Sequence, residues 1–332
     1  MTDRIQASAP GKVVLSGEYA VLNGAPAICV AVNRRATVTI EQTGIEHHVV
    51  VAPGHVDEPH RFVVRDGVFG WLDSTDDFEL LECVWRRSGV QRSGGLALRL
   101  DTTAFLDSAS GSKTGIGSSA ALSVALAYAL NELSPGGNDP ETVAHEGHLD
   151  FQGRLGSGVD IATSVIGGLV EYVMEGRSAT RLAMPEGLEC RLFWSGSPAR
   201  TGVKIERFSS HGPKPSKAAL AVSSRRVANA WASGSADEVL QRCRNYIQVL
   251  QEFDADHELG IFAAGHAEMT AAAAAAGLIY KPCGAGGGDI GILLADNAAH
   301  ADEFIAAGLL GEFRALDLHL DEQGVAVTRE ST

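Results

Sequence analysis

The stretch from Gly111 to Tyr128, GSKTGIGSSAALSVALAY, constrains the fold more than any other part of this chain. A turn rich in glycine and serine runs without a break into an apolar, alanine-rich segment, the pattern of a loop emptying into the N-terminus of a helix. Gly115 and Gly117 permit φ > 0 and a close approach of backbone to a ligand. Ser118 or Ser119 is expected to cap the helix. The first N–H groups of the helix and the positive end of its dipole then face whatever occupies the loop, which suits an anion and phosphate above all. A core helix behind a loose loop would carry the same letters, so the reading depends on what accompanies it.

Composition narrows the partners. The chain has 332 residues, 45% of them hydrophobic, and a formal net charge of −14. That length suffices for two domains with cores of their own. A surface so acidic repels nucleic acid and anionic membrane, and neither is expected as a partner. A small anionic substrate is expected instead, met by locally concentrated Lys and Arg, and a homodimer stays open. The five cysteines are scattered without a CxxC pair, which argues against a disulfide framework or a zinc site and for a reducing compartment. The first residues carry no apolar h-region and no run of about 18 apolar residues occurs, so no signal peptide or membrane span is expected, and the location expected is cytoplasmic.

Strand-like runs cover residues 27–32 and 36–41, with Asn33 and two arginines between them as a hairpin turn. Further strands are expected at 47–51, 61–64 and 96–101, and a helix at 78–87. The glycine-rich loop spans 102–117 and its helix 118–133. Pro140 opens another helix, 141–152, followed by a second glycine–serine turn and a helix at 159–166. Strands follow at 169–174, 177–184 and 188–194. Pro185-Glu186-Gly187 is the expected boundary, dividing the chain into 1–184 and 185–332. The second part reads as helices at 216–232, 237–253 and 257–277. After them come a glycine cluster, a strand at 289–295, a helix at 297–307 and strands at 313–320 and 324–328. The class is α+β with an antiparallel sheet in the second part.

Four constellations can carry chemistry. Pro10-Gly11 delivers Lys12 into a strand, where it is either a solvated edge lysine or a cation that offsets phosphate charge. Gly111-Ser-Lys113-Thr114 is not a P-loop, because the GxxxxGK[ST] spacing is missing and the helix starts later, at Ser118. Lys113 is still placed for an anionic group. In HLDFQGRLGSGVDIA, Asp160 lies in the first turn of a helix, where it complements the dipole or orients a nucleophile. Ser157 and Arg154 can contact an oxygen-rich substrate, and His148, one turn from Gln152, reads as a packed histidine. Gly284-Ala-Gly-Gly-Gly288, with Gly291 in the next strand, is entropically expensive and indicates backbone close to a ligand.

In order and spacing these segments resemble the GHMP family of small-molecule kinases. APGKVVLSGEYAV resembles its first motif, GIGSSAA its phosphate-binding motif and GAGGGDIGI its third. The resemblance covers about residues 7 to 295. It implies an α+β GHMP kinase fold, with a ribosomal protein S5 domain 2-like N-terminal domain, which binds ATP, and a ferredoxin-like C-terminal domain. It implies ATP and Mg²⁺ as cofactors, with the donor phosphates against Lys113, Gly115, Gly117, Ser118, Ser119 and Ala120. Ser118 is the expected hydroxyl ligand of the metal, with Ser119 as its rival. Lys12 and Asp160 become the catalytic pair. The acceptor is expected against Glu18, Tyr19, Arg154, Ser157, Gly158, Ala285, Gly286 and Gly287, with Arg200 or Lys204 as further cations.

Within the family, HLDFQGRLGSGVDIA and the segment FWSGSPA resemble the phosphomevalonate kinase branch, which implies transfer of the γ-phosphoryl group to 5-phosphomevalonate in isoprenoid biosynthesis. Mevalonate kinases share the SGVD segment, but usually carry His where this chain has Tyr19 and a glutamate metal ligand where it has Leu149. A mevalonate kinase or another small-acid kinase is the alternative within the class. A non-catalytic sensor on the same fold is the alternative outside it.

Overall fold

The computed structural model describes residues 3–92, 94–199, 201–210, 212, 214–308 and 311–331. In the first lobe β1 (Asp3–Ser16) and β2 (Ala27–Gln42) are followed by β3 (His48–Ala52), β4 (Val56–Arg65) and β5 (Val68–Trp71). Then come α1 (Glu79–Ser88), β6 (Leu96–Asp101), α2 (Ser118–Leu133), α3 (Pro140–Phe151), α4 (Val159–Ile166), β7 (Leu169–Val173) and β8 (Ser178–Leu182). The second lobe holds β9 (Glu189–Trp194), α5 (Thr201–Ser210), α6 (Pro215–Ser233), α7 (Ala236–His257), α8 (His266–Ala275), β10 (Ile279–Pro282), β11 (Ile290–Ala295), α9 (Ala298–Ala306) and β12 (Arg314–Leu316). The last strand, β13 (Ala326–Ser331), returns to the first sheet and pairs antiparallel with β1.

The larger sheet runs β13-β1-β2-β6-β3-β4-β5, with β7 paired to the first half of β2 and β8 to β7. Its pairings are antiparallel except β3 with β6. The smaller sheet, β10-β11-β9-β12, is antiparallel throughout. This is the two-lobed α+β architecture implied by the resemblance. A shared apolar core joins the lobes, with Val13, Leu15 and Tyr19 from the first packed among Trp194, Trp231 and Tyr246 from the second.

Three expectations change. The hairpin at 33–35 is one continuous strand, β2, whose register on β1 jumps from Pro10↔Arg35 to Gly11↔Val32. Asn33 is satisfied from outside the ladder, because its N–H donates to His319 O at 3.0 Å and its Oδ1 accepts from His319 N at 2.9 Å. A bulge so supported bends the strand without ending it. The expected helix 257–277 is only α8. Glu258 and Ala264 take φ of 51° and 54°, and the turn between them buries Leu259 and Ile261 in the shared core. That burial, with Gly260 and Gly265 also at positive φ, keeps residues 258–265 out of a helix, while the alanine-rich run stays helical in α8. Finally, neither serine caps α2. The cap is Gly117 at φ 83°, with no side-chain hydrogen bond to the helix start.

Candidate active site

The missing cap is the first functional feature. The first backbone bond of α2 runs from Ala121 N to Gly117 O at 3.1 Å, so the N–H groups of Ser118, Ser119 and Ala120 precede the ladder with no side chain covering them. An α-helix start left in that condition is an anion site. The strand β1 passes beside it. Lys12 N donates to Ile116 O at 2.8 Å, and a Cβ on Gly117 would lie 3.0 Å from Lys12 Cε. Glycine at 117 therefore lets the lysine stem lie against the loop. Gly115 serves a second purpose, since a Cβ there would meet the Asp289 carboxyl carbon at 2.2 Å.

Two clefts meet at this helix start. One is bordered by Lys12, Gly115, Ser157, Asp160, Ala285 and Asp289. The other is bordered by Lys113, Ser118 and Ser119 and by His55, Phe78 and Leu106. The loop 111–117 thus contributes Gly115 to the first cleft and Lys113 to the second.

Asp160 is set by its own turn. Gly158 caps α4 at φ 81°, where a Cβ would collide with His145 Nε2 at 2.4 Å. The Asp160 side chain is 19% exposed. Burial opposes its charge, but His148 and Lys12 hold its pKa below the usual carboxylate range. Burial also pushes His148 down, against the pull of Asp160. His148 Nδ1 lies 3.8 Å from an Asp160 oxygen, and Lys12 is the second neighbour whose charge favours the Asp160 carboxylate. His148 Nε2 meets Ser119 Oγ at 3.1 Å, so this packed histidine joins the start of α2 to the neighbourhood of Asp160. The Ser118 hydroxyl makes no such bond.

The glycine turn 284–288 forms the facing wall, and it is buttressed from behind. Lys204 Nζ donates to Gly286 O at 2.8 Å and to Gly260 O at 2.9 Å. His266 Nε2 meets Gly288 O at 3.1 Å, and its Nδ1 meets Tyr280 OH at 2.9 Å. Burial pushes His266 down to about 4, so the ring is neutral and donates through Nε2. Tyr19 OH donates to Ala285 O at 2.8 Å from the other lobe. The Gly291 position is equally tight, because a Cβ there would strike Tyr280 OH at 1.9 Å.

Of the residues picked out from sequence, Lys12, Glu18, Tyr19, Ser157, Asp160 and Ala285 border one cleft, and Lys113, Ser118 and Ser119 the other. Gly158 and Ala120 shape these walls by backbone, and Gly286 and Gly287 complete the C-terminal turn. Arg154 stands apart, 57% exposed and paired with Glu146 and Asp150. Lys204 spends its ammonium on backbone carbonyls. Arg200 lies outside the described residues. Glu18 borders the cleft with its carboxylate turned away, onto Lys281 and Tyr246. Sequence reasoning gave no role to Asp289. Its carboxyl lines the first cleft, its Oδ1 accepts from Ala199 N at 3.0 Å, and burial raises its pKa despite Lys12 and Lys204. The only signal was its place at the end of GAGGGD.

Comparison with known proteins decides the family. The family model of the GHMP kinases N terminal domain matches residues 80–168. A phosphomevalonate kinase of Streptomyces sp. (strain CL190) is 32% identical over 342 residues, covering 89% of this chain and 90% of its own. The chain belongs to the GHMP kinase family. As a GHMP kinase it is a phosphotransferase. A mevalonate kinase of Methanothermobacter thermautotrophicus is 33% identical over 210 residues, covering 61% of this chain and 62% of its own. The fold is also that of Streptococcus pneumoniae phosphomevalonate kinase, solved in complex with phosphomevalonate and AMPPNP, with a TM-score of 0.75 at 16% identity over 95% of this chain and 99% of that one. No helix among the described residues is long and apolar enough to cross a membrane.

Proposed function

We propose that this GHMP kinase transfers the γ-phosphoryl group of ATP to the phosphate of 5-phosphomevalonate, giving 5-diphosphomevalonate and ADP. The observation that carries the reading is the uncapped start of α2 beside a loop that borders both clefts, with Lys12 and an ionised Asp160 lining one of them. ATP would lie on the Lys113 side, its phosphates on the N–H groups of Ser118, Ser119 and Ala120. The acceptor would lie on the Lys12 side. Transfer breaks the bond from Pγ to the β,γ-bridging oxygen and forms a bond from Pγ to an acceptor phosphate oxygen.

A phosphomonoester has its second pKa at about 6 and is mostly dianionic at neutral pH. Deprotonation is therefore the smaller difficulty, and bringing two anions together the larger. Lys12 meets that difficulty directly, and Asp160 orients Lys12 and the acceptor. Among the described residues no group of three His, Cys, Asp or Glu stands together as a metal site. Mg²⁺ bound mainly by phosphates and water, with one hydroxyl from the protein, fits that donor set. Ser118 is the preferred hydroxyl because that of Ser119 is engaged by His148. Such an ion would neutralise charge on the β- and γ-phosphates.

The identity to a phosphomevalonate kinase across most of both chains supports the acceptor. The second reading, mevalonate as acceptor, is favoured by the identity to mevalonate kinases over about half to three-fifths of this chain. A coupled assay of ADP release with the two acceptors side by side tests the choice. Turnover with 5-phosphomevalonate and none with mevalonate is expected, and the reverse result would replace the proposal with the second reading.

A further inference from the structure

Glu18 lies in the first motif and borders the acceptor cleft, yet its carboxylate is closed to any substrate. One oxygen holds the Lys281 ammonium and the other accepts from Tyr246 OH at 2.7 Å. The Glu18 and Lys281 side chains are 1% and 0% exposed. Both partners belong to the second lobe, Lys281 on β10 and Tyr246 on α7. Tyr246 OH also accepts from Gly17 N at 3.1 Å. Two residues after Gly17, Tyr19 reaches across to Ala285 O.

The segment so gripped is strained. Gly17 has φ 91° and Tyr19 φ 57°, and a tyrosine at positive φ persists only where its surroundings over-determine it. Here they come from the opposite lobe. Gly17, Glu18 and Tyr19 form one wall of the acceptor cleft, and Cys283, Gly284 and Ala285 face them from the second lobe. Lys281 sits two residues before that facing wall. One buried ion pair therefore joins the two walls at their base.

We propose that Glu18 and Lys281, bridged to Gly17 through Tyr246, are positioning residues that fix the width of the acceptor cleft and cancel the carboxylate charge beneath an anionic acceptor. The acceptor part of this inference rests on the reading of 5-phosphomevalonate given above. The ion pair has no net charge, so it adds no repulsion to a phosphorylated acid. A geometry set by charge pairing across two lobes also needs both partners, because removing one leaves the other buried and unpaired.

The test is a double-mutant cycle of Glu18→Gln, Lys281→Met and the combined variant, assayed with ATP and 5-phosphomevalonate. Each single variant is expected to melt well below the wild type. The combined variant, with no unpaired charge, is expected to recover most of that loss. Its KM for 5-phosphomevalonate should remain at least about tenfold raised, with the KM for ATP within about twofold of wild type. In the ligand-free protein, amide exchange at residues 17–21 should accelerate at least about tenfold, while that of the central strand β2 stays unchanged. Tyr246→Phe keeps the ion pair and cuts its link to Gly17, so it should move the exchange of 17–21 in the same direction even if the combined variant fails to fold.

A combined variant with wild-type acceptor KM and wild-type exchange at 17–21 would overturn the proposal and leave the pair a purely structural contact. So would unchanged exchange in Tyr246→Phe. If the wild type does not phosphorylate 5-phosphomevalonate, the acceptor reading fails separately, and the exchange measurements still decide whether the pair positions the turn.

Discussion

The turn at 111–117 leads into a helix start with unengaged amides, whereas the turn at 284–288 has its carbonyls tied down. In the first, no side chain caps α2, and the N–H groups of residues 118–120 precede its first backbone bond. In the second, Lys204, His266 and Tyr19 between them hold the carbonyls of Ala285, Gly286 and Gly288. Both are glycine-rich, and glycine means something different in each. In the N-terminal turn it clears room for Lys12 and Asp289 to lie against the loop before α2. In the C-terminal turn it lets the chain fold tightly onto supports that fix its shape. The contrast teaches that one wall offers unengaged backbone dipoles and the other a braced shape.

Substitutions can break that contrast. The largest effect is expected from Lys12→Ala, with kcat falling on the order of 10²–10³-fold, the scale set by losing one preorganised group that stabilises transition-state charge. With 5-phosphomevalonate, Asp160→Asn should lose less, because its acceptor needs little deprotonation. A near-total loss in Asp160→Asn, with folding and binding intact, would argue for an alcohol acceptor. Steady-state kinetics of the two variants separate these outcomes.

Next come the glycines themselves. Gly115→Ala forces a methyl into the Asp289 carboxyl at a position with φ 80°. Because Gly115 also borders the acceptor cleft, it should raise the KM values for ATP and the acceptor together, on the order of tenfold. Gly287→Ala meets Gly260 O at 2.5 Å and also sits at positive φ, 70°. It should raise the acceptor KM alone. Equal changes in both KM values for Gly287→Ala as well would abolish the division of labour argued above.

A smaller effect concerns pH. His266 is held near 4 when folded, against an ordinary value of 6.5. A histidine depressed in this way favours the folded state above its unfolded pKa, and that contribution is lost as pH falls from about 6.5 towards 4, up to about 3 kcal/mol. Melting temperatures measured across that range should fall, and should fall less steeply in His266→Gln. His48 in the first lobe, also pushed to about 4 by burial, should keep part of the slope in that variant. The smallest effect is expected at Arg154→Ala, where kinetics and melting should match the wild type, since an exposed pair with Glu146 and Asp150 contributes little.

Much of this was legible before any coordinates. The start of α2 at Ser118, the strand carrying Lys12, the turn before Asp160 and the glycine turn at 284–288 follow from local rules about φ, capping and periodicity. The cap itself did not, because whether a serine hydroxyl turns back to its helix or out to a ligand depends on what surrounds it. Glu18 was misleading for a related reason. Its partners lie 228 and 263 residues away in sequence, and nothing in a local window shows that a carboxylate in a substrate-facing motif is buried. Arg154 was misleading in reverse, since Glu146 and Asp150 of α3 hold it on the outside, in the turn just past that helix. The break between α7 and α8 needed positive φ at Glu258 and Ala264, residues that carry no such signal.

The return of β13 to β1 gives the molecule an order of assembly. The first half of β1, residues 3–8, is paired along its outer edge by residues 326–331. Just before them, Asp321 N donates to Ala31 O at 3.0 Å, and a Cβ on Gly167 would meet Gly324 N at 2.2 Å. On a ribosome the first lobe therefore waits, with the outer edge of β1 open, until the whole second lobe has been synthesised. A polypeptide stopped short of residue 326 would carry the three motifs of the first and second lobes while leaving the first half of β1 with an open edge.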